Sequence, residues 1–343
     1  MRYVDDRHSA RIIPEVAWIR GEPTRLMHEP NVASSRQATV DSIEPGGSRE
    51  GGVTAQPLRF GLLTMQQPPW PALRQRWIDY DQLGLDRLWL CDHFIGQSGE
   101  ALFEAWTLLA ALARVTERAR IGTVVSCAIF RHPAILAREA LTLDHLSGGR
   151  VEIGLGAGWW LPELARYGYP SLSAAERVAH FATTVETVSR LVTVAGYPGD
   201  LRDRGHLVLA PTISPAPVQI PRPPLMLAAQ SRRMLALVAR YGDAWVGSFG
   251  LSPREVAARN RTLDQHCTAL GRDSTTLRRA LVWTPWVDPR NPWDSPASFA
   301  AFVETYRAAG VSEFILEEPP HTRSAAFRSI VEETMPRLRA SIR

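Results

Sequence analysis

Three short stretches of this chain hold residue types that could do chemistry. The first is Asp92-His93-Phe94. An imidazole can take or give a proton near neutral pH, and a neighbouring carboxylate such as Asp92 could orient it. The competing reading makes Asp92 a helix cap and His93 a rim residue that only packs. The second stretch is Gly154-Leu155-Gly156-Ala157-Gly158-Trp159-Trp160. Glycine at every second position lets a backbone approach a flat ring or a phosphate, although close chain packing uses the same pattern. Trp159-Trp160-Leu161-Pro162 stands where a dinucleotide fingerprint would open a helix, so that motif is not completed. Adjacent tryptophans there suit the wall of an aromatic pocket, with plain core as the other reading. The third stretch, Gln230-Ser231-Arg232-Arg233, reads as a strand end entering a helix N-terminus. Backbone N–H groups, a hydroxyl and guanidinium groups could hold an anion there, or Ser231 could simply cap the helix.

Other chemistries are excluded by composition. All 39 basic residues are Arg, since the chain has no Lys. Schiff-base, P-loop and lysine-base mechanisms are therefore impossible. The net charge is only +4 and the arginines are scattered among acids and aromatics, so no basic stripe points to nucleic acid. Cys91, Cys127 and Cys267 lack metal-ligand or CxxC spacing, and His132, His145, His180 and His206 fall on predicted helices and connections. No metal site is expected. Neither a membrane span nor a signal peptide is read from the sequence, and the sparse cysteines suit a reducing cytoplasm.

The elements that must position these stretches alternate. Buried strands are predicted at Arg59–Thr64, Asp86–Cys91, Ile121–Cys127, Val151–Leu155, Leu225–Ala229, Asp243–Ser248, Leu277–Trp286 and Glu313–Leu316. Helical spacing separates them, as in Val178, Phe181, Val185, Val188 and Val192. Ser147-Gly148-Gly149 stops the helix before the fourth strand. A long helix is predicted over Ala325–Ile342. Alternation at this pitch predicts an α/β fold, a (β/α)8 barrel over residues 57–343, of the size usual for one such domain. Residues 196–224 form an insertion between strands 4 and 5, with a hairpin expected around Gly205–Leu209. Residues 1–56, rich in Pro, Gly and Ser, read as a disordered extension. In such a barrel the strand C-termini carry the site. The candidates are then Thr64–Gln67, Asp92–Phe94, Ser126–Arg131, Gly156–Trp160, Gln230-Ser231 and Ser248-Phe249.

Taken in order, LRFGLLT, GLDRLWLCDHF, RIGTVVSCAIFRHPAILAREALTLDHLSGGRVEIGLGAGW, PLMLAAQSRRMLALVARYGDAW and RAAGVSEFIL resemble the bacterial-luciferase-like superfamily of flavin- and deazaflavin-dependent oxidoreductases. The resemblance spans about 58 to 335. It implies a cofactor ring across the strand ends, with His93 near the reactive carbon in the branch that uses the deazaflavin coenzyme F420. It also implies a cis Val124–Val125 peptide behind the ring. Val124, Val125 and Ser126, Gly156 to Gly158, and Gln230 with Ser231 would contact the cofactor, while Trp159 and Trp160 would line the substrate side. Ala157 stands where true luciferases place an Arg on the flavin phosphate. Trp159 stands where the sugar-phosphate dehydrogenases of the deazaflavin branch carry a Glu donor. The activity implied is hydride transfer between F420 and a small apolar or aromatic substrate. The alternatives are an FMN-dependent monooxygenase supplied by a separate flavin reductase, and a flavin-binding barrel without turnover. A homodimer is expected by the same resemblance.

Overall fold

Every residue of Val151–Gly156 is buried, which is what a parallel strand covered on both faces requires. The computed structural model describes residues 56–96, 99–193, 215–247, 249–286, 291–319 and 324–341. Residues 1–55, the hairpin expected at Gly205–Leu209 and Ser248 lie outside them. The chain divides between Glu50 and Gly51, and the second unit is described below.

Nine parallel strand segments form the sheet: β1 (Arg59–Thr64), β2 (Arg87–Leu90), β3 (Arg120–Thr123), β4 (Ser126–Cys127), β5 (Val151–Gly156), β6 (Leu225–Ala228), β7 (Ala244–Gly247), β8 (Arg278–Trp283) and β9 (Glu313–Glu317). Neighbours run β3-β2-β1-β9-β8-β7-β6-β5-β4, and β3 also pairs with β5, which closes the ring. The expected eighth-fold barrel is present, with one difference. Its third strand is not continuous over Ile121–Cys127 but splits into β3 and β4 at Val124–Val125, whose peptide is cis. The bulge is accommodated by β5. A Cβ on Gly154 would lie 1.9 Å from the Thr123 carbonyl oxygen, and one on Gly156 would lie 2.5 Å from Val125 Cγ2. The alternate glycines therefore make room for the neighbouring strand.

Side chains alternate between two layers. Leu88 and Leu90 pack outward under the helices, whereas Trp89 and Cys91 join Leu63, Val246, Val282 and Ile315 inside the barrel. The helices are α1 (Trp70–Gln82), α2 (Ala105–Leu112), α3 (Pro133–Ser147), α4 (Leu161–Arg166), α5 (Ala174–Leu191), α6 (Arg232–Tyr241), α7 (Pro253–Ala269), α8 (Pro296–Ala308), α9 (Ser324–Ser329) and α10 (Met335–Ala340). Reciprocal capping boxes start α5 (Ser173 with Glu176) and α7 (Ser252 with Glu255). Gly148, at φ 65°, closes α3 in the left-handed conformation. The single helix expected over Ala325–Ile342 is interrupted by a π-helical turn at Ile330–Thr334. Among the described residues no helix is long and apolar enough to cross a membrane.

The floor of the barrel is charged. Glu152 of β5 lies 2.5 Å from Arg120 Nε, 2.5 Å from Arg278 Nη2 and 2.9 Å from Arg87 Nη2. Glu313 of β9 meets Arg87 at 3.1 Å and Arg278 at 2.6 Å. Burial opposes ionisation of Glu152, but Arg278, Arg87 and Arg120 outweigh it and hold its carboxyl far below the ordinary 4.5, at about 2. A carboxyl lowered on folding stabilises the fold above its unfolded pKa, and that contribution is lost as pH falls. Denaturation measured across the acid range should therefore show stability draining between about pH 4.5 and 2. Glu152→Gln should remove this slope and cost roughly 3–5 kcal/mol at neutral pH, because it strands buried guanidinium groups. An unchanged unfolding midpoint would contradict this role.

Candidate active site

The inward row of β2 runs Arg87, Trp89, Cys91 and then His93, which brings the imidazole to the C-terminal mouth of the barrel. His93 Nδ1 lies 2.6 Å from Glu163 Oε2. The other carboxylate oxygen accepts from the backbone N–H groups of Phe94 (2.7 Å) and Ile95 (3.3 Å). Glu163 is 1% exposed. With its Nδ1–H given to the carboxylate, the ring keeps Nε2 for a proton from, or to, a bound molecule.

Asp92 does not orient His93. One residue along a strand reverses the side chain, so Asp92 continues the outward row of Leu88 and Leu90. Its carboxylate accepts from Arg131 Nη1 at 2.6 Å, from Arg131 Nη2 at 3.0 Å and from the Cys127 backbone N–H at 3.1 Å. Burial pushes this carboxyl up while Arg131 pulls it down. Asp92 and Arg131 thus tie β2 to the start of the α3 connection, and the orienting role belongs to Glu163.

Glu163 was not legible from its neighbours' spacing because α4 was not expected. The usable signal was Leu161-Pro162-Glu163, since proline in the first helical turn followed by an acid marks a helix start.

Trp159 and Trp160 flank His93 edge-on, with ring centroids 5.8 and 5.6 Å away. Trp159 stacks on Trp160 at 6.2 Å and on Trp286 at 6.3 Å, and Phe249 packs against Trp159 and Trp286. Trp286 is a further wall residue that sequence spacing did not single out, because it lies in the loop beyond β8. Gly158, at φ 79°, makes the turn that swings the chain out of β5 into this wall. A Cβ there would meet Cys127 Sγ at 2.9 Å and Ile129 Cδ1 at 3.1 Å.

The expected cofactor contacts divide. Val125, like Met65 and Ala228, is half-buried against the interior cluster, while Val124 is buried within that cluster. Ser126 is contradicted as a contact: it is fully buried, and its hydroxyl accepts from Trp106 Nε1 at 2.9 Å and lies 2.7 Å from Thr123 Oγ1. It anchors β4 to α2 instead. Gly156 is packed on Val125, and Ala157 leans on the outer core. Ser231 Oγ accepts from the Met234 N–H at 3.3 Å, so that hydroxyl serves as a helix cap, with Arg232 and Arg233 exposed beside it. Gln230 precedes this cap on the end of β6. Thr284 continues the inward row of Ala280 and Val282, and its buried hydroxyl has no hydrogen-bond partner among the described residues.

Residues 50–321 match the family model described as luciferase-like monooxygenase. The chain belongs to the luciferase-like family. An uncharacterized protein of Mycobacterium tuberculosis is 32% identical over 195 residues, which cover 55% of this chain and 65% of that relative's length. A second relative, the F420-dependent glucose-6-phosphate dehydrogenase of Amycolatopsis mediterranei, is 23% identical over 316 residues, with 76% of this chain and 92% of the relative covered. Among solved structures, a Streptomyces bottropensis monooxygenase superposes with a TM-score of 0.67 at 19% identity, over 82% of this chain and all of its own. Solved structures of this fold include F420-dependent enzymes as well as monooxygenases.

In this luciferase-like site Glu163 closes two backbone N–H groups as well as the imidazole. Glu163→Ala should speed hydrogen exchange at the Phe94 and Ile95 amides by roughly tenfold or more, since each bond to a carboxylate contributes about 1.5–3 kcal/mol. Unchanged protection at both amides would mean that another group holds this loop.

Proposed function

We propose that this chain is an oxidoreductase that moves a hydride between coenzyme F420 and a small apolar or aromatic substrate. The observation that carries this reading is the His93–Glu163 pair set at the barrel mouth beneath a wall of indole rings.

The residues present fit a flat, anionic-tailed cofactor. Met65, Val125 and Ala228 offer an apolar floor for a ring, and the unpartnered Thr284 hydroxyl offers a hydrogen bond toward it. Arg232 and Arg233, exposed at the start of α6, provide charge for phosphate groups. Ala157 supplies no guanidinium where luciferases clamp the FMN phosphate, which favours the deazaflavin. When bound, F420 supplies or accepts the hydride. The protein's own work is different. His93 Nε2 holds the accompanying proton or polarises the ring edge, and Glu163 keeps that nitrogen aimed and stabilises the charged imidazole. Trp159 and Trp160 exclude water and set the substrate face to face with the ring. The F420-dependent relative supports this choice of cofactor.

Equilibrium binding of the purified protein to F420 and to FMN, side by side, tests the assignment. F420 should bind and FMN should bind at least tenfold more weakly. His93→Ala should then lower turnover by about 10²- to 10⁴-fold with less than a tenfold change in F420 affinity. Preference for FMN would move the protein to the oxygenase branch, with a separate reductase to supply reduced flavin. Binding of neither would overturn the proposal.

A further inference from the structure

Strand β9 alternates in the same way as β2, but its inward row is more polar. Glu313 belongs to the charged floor, Ile315 to the interior cluster, and Glu317 comes next, at the mouth. Trp293 Nε1 donates to the Glu317 backbone carbonyl at 2.9 Å and fixes the strand end. Strands β8 and β9 pair up to Trp283 and Leu316, so the loop that carries Trp286 leaves the barrel beside Glu317, and the indole acts on the carboxylate to favour its ionised form. Trp286 is the indole that stacks on Trp159, at 15° between planes, and Trp159 meets His93. Glu317 therefore stands at one end of the indole stack and the His93–Glu163 pair at the other.

Among the described residues, the charged groups around Glu317 leave it without a counter-ion. Glu318, the next residue, faces outward, where Tyr80 Oη donates to it at 2.8 Å and Arg76 lies 3.3 Å away. Across the mouth, Glu163 already engages His93. Among the described residues no guanidinium or imidazole pairs with Glu317. Burial, with repulsion from Glu318 added, pushes its carboxyl up to about 7 against the opposing effect of Trp286. A half-buried carboxylate with no cation among the described residues, at the edge of a stack of indoles, is the environment that favours a positively charged ligand. The carboxylate supplies Coulomb attraction, and the rings supply cation–π attraction.

We propose that the substrate of this site carries a basic nitrogen, with Glu317 as its counter-ion and Trp286 and Trp159 as the π surfaces it rests on. This names the substrate class of the oxidoreductase proposed above and rests on that reading for the mouth being the substrate side. A neutral carbonyl compound makes the opposite demand, since Glu317 would then have to keep its proton in order to donate it. The two differ in the sign of their pH dependence. Affinity for a permanent cation rises as Glu317 loses its proton, whereas affinity for a neutral acceptor falls.

The test uses benzyltrimethylammonium and its neutral isostere with carbon in place of nitrogen. Binding to the full chain is followed by tryptophan fluorescence from pH 5.5 to 8.5, without cofactor. Affinity for the ammonium probe should rise by up to about tenfold per pH unit below 7 and level off above it. The isostere should bind more weakly, with no such rise. Glu317→Gln should weaken ammonium binding by roughly tenfold at pH 8 and flatten its profile, which separates Glu317 from His93 on the same mouth. Trp286→Leu, at an exposed loop position, should weaken it without unfolding the chain, and keeps the proposal testable if the first variant does not fold. Equal affinity for both probes, a profile that falls with pH, or wild-type affinity in Glu317→Gln would overturn the proposal. F420 binding by the same preparations distinguishes the two readings. F420 binding without ammonium selectivity defeats this inference alone, and ammonium selectivity without F420 binding defeats the hydride-transfer reading.

Discussion

The rest of the barrel depends on the ion cluster at its floor. Glu152 and Glu313 are buried carboxylates that meet Arg87, Arg120 and Arg278, so that β2, β3, β5, β8 and β9 are tied together by charge at one level. Apolar side chains of the right volume could fill the same space at similar or better stability, but they would not specify which strands meet at which height. Here the pairing is specific, and removing one member leaves the others buried and uncompensated. The mouth inherits that precision. Arg87 and His93 stand on one inward row, about 20 Å apart, and Glu313 and Glu317 stand on another, about 13 Å apart, at some 3.3 Å per residue. A slip of either strand by one residue would turn its mouth residue out of the barrel.

Much of this architecture was legible in the chain. Strands buried on both faces read as continuous apolar runs, and Phe181, Val185 and Val188 mark their helix by spacing alone. The site was legible to the level of segments. His93 and the Trp159-Trp160 pair do meet at one mouth, because strand-end position in a parallel barrel is set by topology. What failed were the assignments that depend on side-chain direction. Asp92 adjoins His93 in sequence but faces the opposite layer. Ser126 sits next to the bulge, yet its hydroxyl turns to Trp106. Glycines 154 and 156, readable from sequence either as a cradle or as close packing, leave the space into which Val125 and the Thr123 carbonyl press. Glu163 escaped notice because its partner is 70 residues away and the helix that carries it is six residues long.

The mouth divides its work between two kinds of surface. One side is hydrogen-bonded and charged, with both Glu163 oxygens engaged and His93 Nε2 left for a bound molecule. The other is a slab of indole and phenyl rings with few polar atoms. Reactions that move a hydride need both. Charge has to be met where it develops, and water has to be absent where the reactants touch.

The brevity of α4 has a consequence for how the site comes into being. A helix of six residues has no independent existence in water, since its nucleation is not repaid by so few hydrogen bonds. It holds its shape by docking, and the buried Glu163 is its most polar point of attachment. The carboxylate needs the helix to reach the imidazole, and the helix needs the imidazole and the two amides to stay folded. Loss of this carboxylate would therefore loosen the helix and the imidazole together.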